Sequence, residues 1–218
     1  MHAHVKRFVP AAGADWLLPL YDPLVRLLGR EERVRGRLLE AAELGEGTRV
    51  LDLGCGTGSL VAMLKRRHPS ARVSAIDPDP KALARARAKL ESAGSAVDFE
   101  QGFADALPYA DGAFDRVLSS LMIHHLTAPE KDAALREAFR VLAPGGTLHV
   151  LDFAETGGAG LHALAQRLHG GDSAAHGADR GLAERMRSAG FGEVEEQDRM
   201  RTVLGRLVLH RARRPRTG

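Results

Sequence analysis

The sequence predicts an α/β fold: a seven-stranded, mostly parallel sheet flanked by helices and preceded by an N-terminal helical extension. Three observations predict it. Short β-like runs alternate with helical patterns from residue 49 onward, the order of a parallel sheet with helices on its faces. A glycine-rich turn, Gly54-Cys55-Gly56-Thr57-Gly58, links the first of those runs to the first helical pattern. The chain has 218 residues, 44% of them hydrophobic, which suits one such domain with a substantial core and not two.

The elements follow in order. Arg49 to Leu53 reads as the first strand, Ser59 to Arg67 as a helix, Arg72 to Ile76 as the second strand and Pro80 to Ala93 as the second helix. Val97 to Gln101 forms the third strand. The fourth, Ala113 to Ser119, opens after the turn Ala110-Asp111-Gly112. Pro129 to Leu142 is helical and stops before Pro144-Gly145-Gly146, and Thr147 to Asp152 is the fifth strand. A helix over Asp179 to Ala189, ended by Gly190, precedes two β segments, Glu193 to Arg199 and Thr202 to Arg211.

Residues 1–46 are less regular. Pro19 and Pro23 break any long helix there, and helix-favouring sequence follows from Leu24 to Leu44. This extension is either a packing layer on the sheet or a lid over a site, with Trp16 and Tyr21 as its aromatic anchors. Residues 47–212 form the main domain and 213–218 a basic tail. The run Arg211, Arg213, Arg214 and Arg216 is expected to fray and solubilise.

Composition excludes several classes. The net charge of +3 is modest and the basic residues are dispersed, with 26 arginines among 31, so the pI of 9.3 carries little weight for nucleic acid. The single cysteine, Cys55, permits no internal disulfide and suggests no zinc site; no metal is expected. No apolar stretch reaches the ~18 residues needed to cross a bilayer, and Met1-His2-Ala3-His4-Val5-Lys6-Arg7 lacks a signal-peptide core, so a cytoplasmic protein is expected. Nothing in the sequence sets an oligomeric state.

Three alternating glycines after an apolar strand let the backbone pass close to a ligand. The dinucleotide fingerprint G-x-G-x-x-G would put its third glycine at position 59, which is Ser59. Asp52, two residues ahead of Gly54, places negative charge where a pyrophosphate favours N–H donors and positive potential. It suits a ligand carrying a cationic amine and a sulfonium, which is S-adenosylmethionine (SAM). Asp77, about 20 residues after the turn, supports a nucleoside ligand and fits a NAD site equally.

Val50 to Gly58 resembles motif I of the class I SAM-dependent methyltransferases, a Rossmann-like family, and further matches follow in that family's order. The second strand ends at Asp77, where the family places an acid that hydrogen-bonds both ribose hydroxyls. Gly102-Phe103-Ala104-Asp105-Ala106-Leu107-Pro108-Tyr109 resembles its loop around the adenine, with Phe103 where many relatives have Asp and Asp105 left as the carboxylate. Phe114-Asp115 through Leu126 resembles the fourth strand and its loop, and Arg140-Val141-Leu142-Ala143-Pro144-Gly145-Gly146 the turn into the fifth. The resemblance covers roughly residues 45–155 and implies that the last strand runs antiparallel. It implies a SAM site made of Asp52, Gly54, Cys55, Gly56, Gly58, Asp77, Pro78, Ala104, Asp105 and Ser119, with S-adenosylhomocysteine as product.

In-line methyl transfer depends mainly on positioning, which can supply about 7 to 11 kcal/mol. A base is needed only if the acceptor loses a proton, and His124 and His125, after the fourth strand, are the candidates, ahead of Tyr21 and His4. Ser119-Ser120-Leu121-Met122 replaces the Asn/Asp-Pro-Pro-Tyr/Phe motif of DNA and protein-glutamine methyltransferases, and no RNA-binding stripe is present. These absences favour a small-molecule or lipid-like acceptor. Ala106-Leu107-Pro108-Tyr109, Phe114-Asp115 and Leu151-Asp152-Phe153 are similar to quinone and sterol-like lipid methyltransferases, although Met122-Ile123-His124-His125 replaces the Gly-Leu-Arg-Asn stretch usual in the quinone enzymes. Two other functions fit the fold: a SAM-binding cyclase, isomerase or ligand sensor, and a NAD-dependent oxidoreductase.

Overall fold

A computed structural model describes residues 31–154, 181–202 and 205–216. Its strands are β1 Arg49–Leu53, β2 Arg72–Asp77, β3 Asp98–Gln101, β4 Phe114–Ser120, β5 Leu142–Phe153, β6 Gly192–Thr202 and β7 Gly205–Arg213. They form one sheet in the order β3-β2-β1-β4-β5-β7-β6. Only the pairs that β7 makes with β5 and β6 are antiparallel. The expected mostly parallel sheet with an antiparallel final strand is therefore present.

Among the described residues the helices are α1 Glu31–Ala42, α2 Ser59–Arg67, α3 Pro80–Glu91, α4 Ala128–Val141 and α5 Leu182–Ser188, with a 3-10 turn at Ile123–His125. Their starts are chemically marked. Asp79 caps α3 by accepting from the Lys81 amide at 2.8 Å, with Pro80 in the first turn. Thr127 and Glu130 form a capping box on α4. The interior strands are apolar on both faces because helices cover both sides. One core joins Val50, Leu118 and Leu151 to α1 and α2, and the other joins Leu51, Val117 and Val150 to α4 and α5.

Several boundaries differ from the sequence reading. Pro144-Gly145-Gly146 belongs to β5 rather than to a free turn, because the Gly145 amide donates to the Arg214 carbonyl and the Arg214 amide to the Gly146 carbonyl, both at 2.9 Å. A side chain at Gly146 would sit 2.9 Å from the Ala143 carbonyl oxygen and 3.0 Å from that of Asp115, so this close approach needs glycine. The helix expected from Asp179 begins at Leu182, and its first expected residues lie outside the described residues. Of the N-terminal extension, α1 packs on β4, β5 and α2 as a layer on the sheet. His4, Trp16 and Tyr21 lie outside the described residues.

Three of the four terminal arginines expected to fray, Arg211, Arg213 and Arg214, are held in place. Arg211 and Arg213 lie in β7 and pair with Glu195 and Glu193, each at 2.7 Å. Arg214 donates to the carbonyls of Phe139, Arg140 and Leu142, capping the C-terminal end of α4, and stacks on the Phe139 ring. Their positive charge is spent on carboxylates and on the negative end of a helix.

His149 is 1% exposed on β5, its Nε2 2.9 Å from the Thr147 hydroxyl. Burial, then the Arg116 and Arg211 guanidinium groups, push its pKa down from 6.5 to about 3. The imidazole is neutral in the fold, whereas the unfolded chain protonates it near pH 6.5. Its contribution to stability is complete above that pH and is lost as the pH falls towards 3. Through this residue the protein should lose about 2 kcal/mol between pH 7 and pH 5. Urea unfolding at both pH values checks this, because the His149→Gln variant should lack that share of the acid slope.

Candidate cofactor and active site

From β1 the chain runs outward to β2 and β3, then returns to place β4 on the other side of β1. Adjacent connections leave in opposite directions at this point, and a cleft opens outside the carboxyl ends of the strands. The glycine turn forms its floor. Gly54, Gly56 and Gly58 have φ of 77°, 52° and 75°, the left-handed region that glycine occupies without steric cost. Their roles differ. A Cβ on Gly54 would lie 2.3 Å from Met122 Cγ and one on Gly58 2.9 Å from Ala86 Cβ, so these two serve packing. Nothing lies within 4 Å of the Cβ position of Gly56, which faces the cleft.

The amides of this turn are used inside the fold. Gly54 and Cys55 both donate to the Ile76 carbonyl, at 2.9 and 3.0 Å, and Gly58 donates to the Cys55 carbonyl at 2.9 Å. The Gly56 amide donates to Asp77 Oδ2 at 2.8 Å. Asp77 Oδ1 accepts from the Asp79 amide at 2.9 Å, so both oxygens are oriented by backbone at the end of β2. Burial pushes the Asp77 pKa up, against these two hydrogen bonds. A pyrophosphate held by this turn would have to compete for amides that the sheet already uses.

The cleft wall contains Gly54, Cys55, Gly56, Asp77, Pro78, Ala104, Asp105 and His125 of the residues predicted from sequence. Gly58 packs behind the wall. Ser119 is fully buried beside its register partner Val150, and Ser120 takes the place at the cleft, because side chains alternate between faces along a strand. Asp52 lies beneath the turn at 1% exposure, and its Oδ2 has no hydrogen-bond partner among the described residues. Burial raises its pKa to about 7, opposed by the positive charge of Arg35.

Sequence reasoning missed Arg35, which α1 brings to the cleft wall. Only the helical register of the extension could have signalled it. Among the described residues the wall carries this one guanidinium against the carboxylates of Asp77, Asp79, Asp105 and Glu130. The balance is negative and suits a ligand with positive charge and one anionic group.

Two further anchors shape the cleft. Arg140 on α4 donates to the carbonyls of Tyr109 and Leu107 and to Asp111, while Glu137 accepts from the Leu107 amide at 2.8 Å. Together they fix the segment that follows Phe103, Ala104 and Asp105. On the opposite side, Asp152 at the end of β5 takes the His124 amide at 3.1 Å on Oδ2 and His124 Nδ1 at 2.6 Å on Oδ1. His124 is thus tied to the sheet, and His125 lines the cleft with Met122, Leu126 and Glu130.

The raised pKa of Asp52 makes a signed prediction. Its neutral form favours the fold, a contribution present below pH 3.8 and lost as the pH rises through about 7. Asp52→Asn should therefore raise the melting temperature of the ligand-free protein at pH 8, where the carboxylate is buried and charged, and change it little at pH 4. Thermal melts at the two pH values measure this. The same variant should bind a cationic ligand less tightly.

A family model described as "Methyltransferase domain" matches residues 50–146. The demethylmenaquinone methyltransferase of Thermus thermophilus is 46% identical over 139 residues, which is 63% of this chain and 62% of that protein. The ubiquinone/menaquinone biosynthesis C-methyltransferase UbiE of Pasteurella multocida is 39% identical over 120 residues, 54% of this chain and 44% of that protein. The chain thus spans less than two thirds of the length of these curated relatives. Among solved structures, the [4+2]-cyclase SpnF superposes with a TM-score of 0.68 at 22% identity, over 85% of this chain and 82% of that one, a likeness of fold alone. Residues 50–146 are thus similar to a methyltransferase domain, and the strand order and the glycine turn give the chain a Rossmann-like architecture.

Proposed function

We propose that this chain is a SAM-dependent methyltransferase acting on a small-molecule acceptor. One observation carries the reading. Four amides of the glycine turn donate to Ile76, Asp77 and Cys55, and the cleft above it is rimmed by carboxylates with one guanidinium among the described residues. Such a cleft disfavours a pyrophosphate and favours a cationic nucleoside with a carboxylate tail. The residues fit SAM. Asp77 would accept from the ribose hydroxyls, Ala104 and Asp105 would meet the base, Asp52 would offset the ammonium and Arg35 the carboxylate. When bound, SAM supplies a sulfonium-activated methyl group that leaves a neutral thioether behind.

The chain's own part is to bind, orient and exclude water. Leu121, Met122 and Leu126 give the cleft an apolar wall, with His125 and Glu130 as its polar groups. An apolar acceptor with one ionisable hydroxyl or activated carbon suits that wall, and His125 would take the proton it loses. The 46% identity to a demethylmenaquinone methyltransferase makes a reduced demethylmenaquinone the first acceptor to try.

Incubating the protein with SAM and a short-chain reduced demethylmenaquinone should yield S-adenosylhomocysteine and one methylated product. Arg35→Ala should weaken SAM binding by roughly 10-fold, the loss of a charge-assisted hydrogen bond of about 1.4 kcal/mol. SAM that binds but is never consumed across a broad acceptor panel would instead favour a cyclase, isomerase or sensor.

A further inference from the structure

The two histidines after β4 do different work, and a residue outside the predicted site separates them. Asp152 is 4% exposed, and its oxygens accept three hydrogen bonds: the His124 amide, His124 Nδ1 and its neighbour's amide, Phe153, at 2.7 Å. A carboxylate is an acceptor only, so Nδ1 of His124 carries the hydrogen in either protonation state of the ring. The ring is further held edge-to-face against Phe153, with centroids 5.0 Å apart. It lies 4.0 Å from the His125 ring, tilted by 41°. Backbone and ring of His124 are thus clamped at the end of β5, and the 3-10 turn has little freedom to rotate. His125 closes that turn and its amide donates to the Met122 carbonyl at 3.0 Å.

We propose that Asp152 is a positioning residue for methyl transfer: it grips His124 so that the adjoining His125 is presented to the acceptor end of the cleft. This rests on the methyltransferase reading. Asp152 touches neither the cleft nor the reacting atoms. Its effect passes through the turn, where a displacement of about 1 Å costs on the order of 100-fold in rate.

The test uses Asp152→Asn, which keeps the shape but offers one carbonyl oxygen where two amides and a ring N–H need acceptors. Imidazole nitrogen NMR of the full chain should show His124 carrying hydrogen on Nδ1. In the variant, the signals of both His124 and His125 should shift or broaden. With SAM and reduced demethylmenaquinone, kcat should fall about 10- to 100-fold while the SAM Kd, by calorimetry, stays within about 2-fold. The acid limb of the kcat/KM profile should persist in Asp152→Asn at lower amplitude and vanish in His125→Ala. The proposal is overturned if His124 carries hydrogen only on Nε2, if the His125 signal ignores the variant, or if SAM affinity falls in step with kcat. A wild-type protein that methylates no acceptor would count against the methyltransferase reading, while the NMR result still decides the clamp.

Discussion

The Gly56 amide bond to Asp77 is the constraint on which the site depends. It joins the turn after β1 to the end of β2, and the Gly54 and Cys55 amides reinforce the join through Ile76. The turn needs a left-handed backbone at positions 54 and 56, and at position 54 an approach to Met122 that a Cβ would block. The result is a floor in which the Gly54, Cys55, Gly56 and Gly58 amides already have acceptors. A ligand over those four amides meets side-chain carboxylates at the rim, which opposes the charge preference of a phosphate-binding glycine loop.

That arrangement carries a cost in stability. Asp52 is buried under the turn with its pKa raised to about 7, so the fold holds a carboxylate it would rather keep neutral. The strain is of the kind found where binding, not stability, sets the choice of residue. Elsewhere the frame is conventional: Arg140 braces the loop on one side, Asp152 braces the turn on the other, and Arg214 closes the far end of α4. Each brace joins segments distant in sequence, so the cleft keeps its shape only when the whole sheet is assembled.

Most of the frame was legible in the sequence. The strands around the glycine turn are short apolar runs bounded by Gly, Pro and Asp, and local chemistry decides them. The Pro144-Gly145-Gly146 segment was misread because its pairing partner, Arg214, lies about 70 residues away. The terminal arginines were misread for the same reason: a run of like charge looks solvated until Glu193, Glu195 and the α4 carbonyls are seen opposite it. Of the expected site residues, Asp77, read from its spacing after the turn, and Asp105, read from the resemblance of its loop, both line the cleft. Ser119 was displaced by Ser120 because a one-residue error at a strand end moves a side chain to the other face. Arg35 and Asp152 were not assigned roles because each acts across an interface between elements, which no local motif encodes.

A cleft of this charge should select a cationic, phosphate-free nucleoside. Isothermal titration of the purified protein with SAM and with NAD under identical conditions tests it most directly. Saturable binding of SAM with no heat from NAD is the predicted result. Tight binding of NAD with none of SAM would contradict that selectivity.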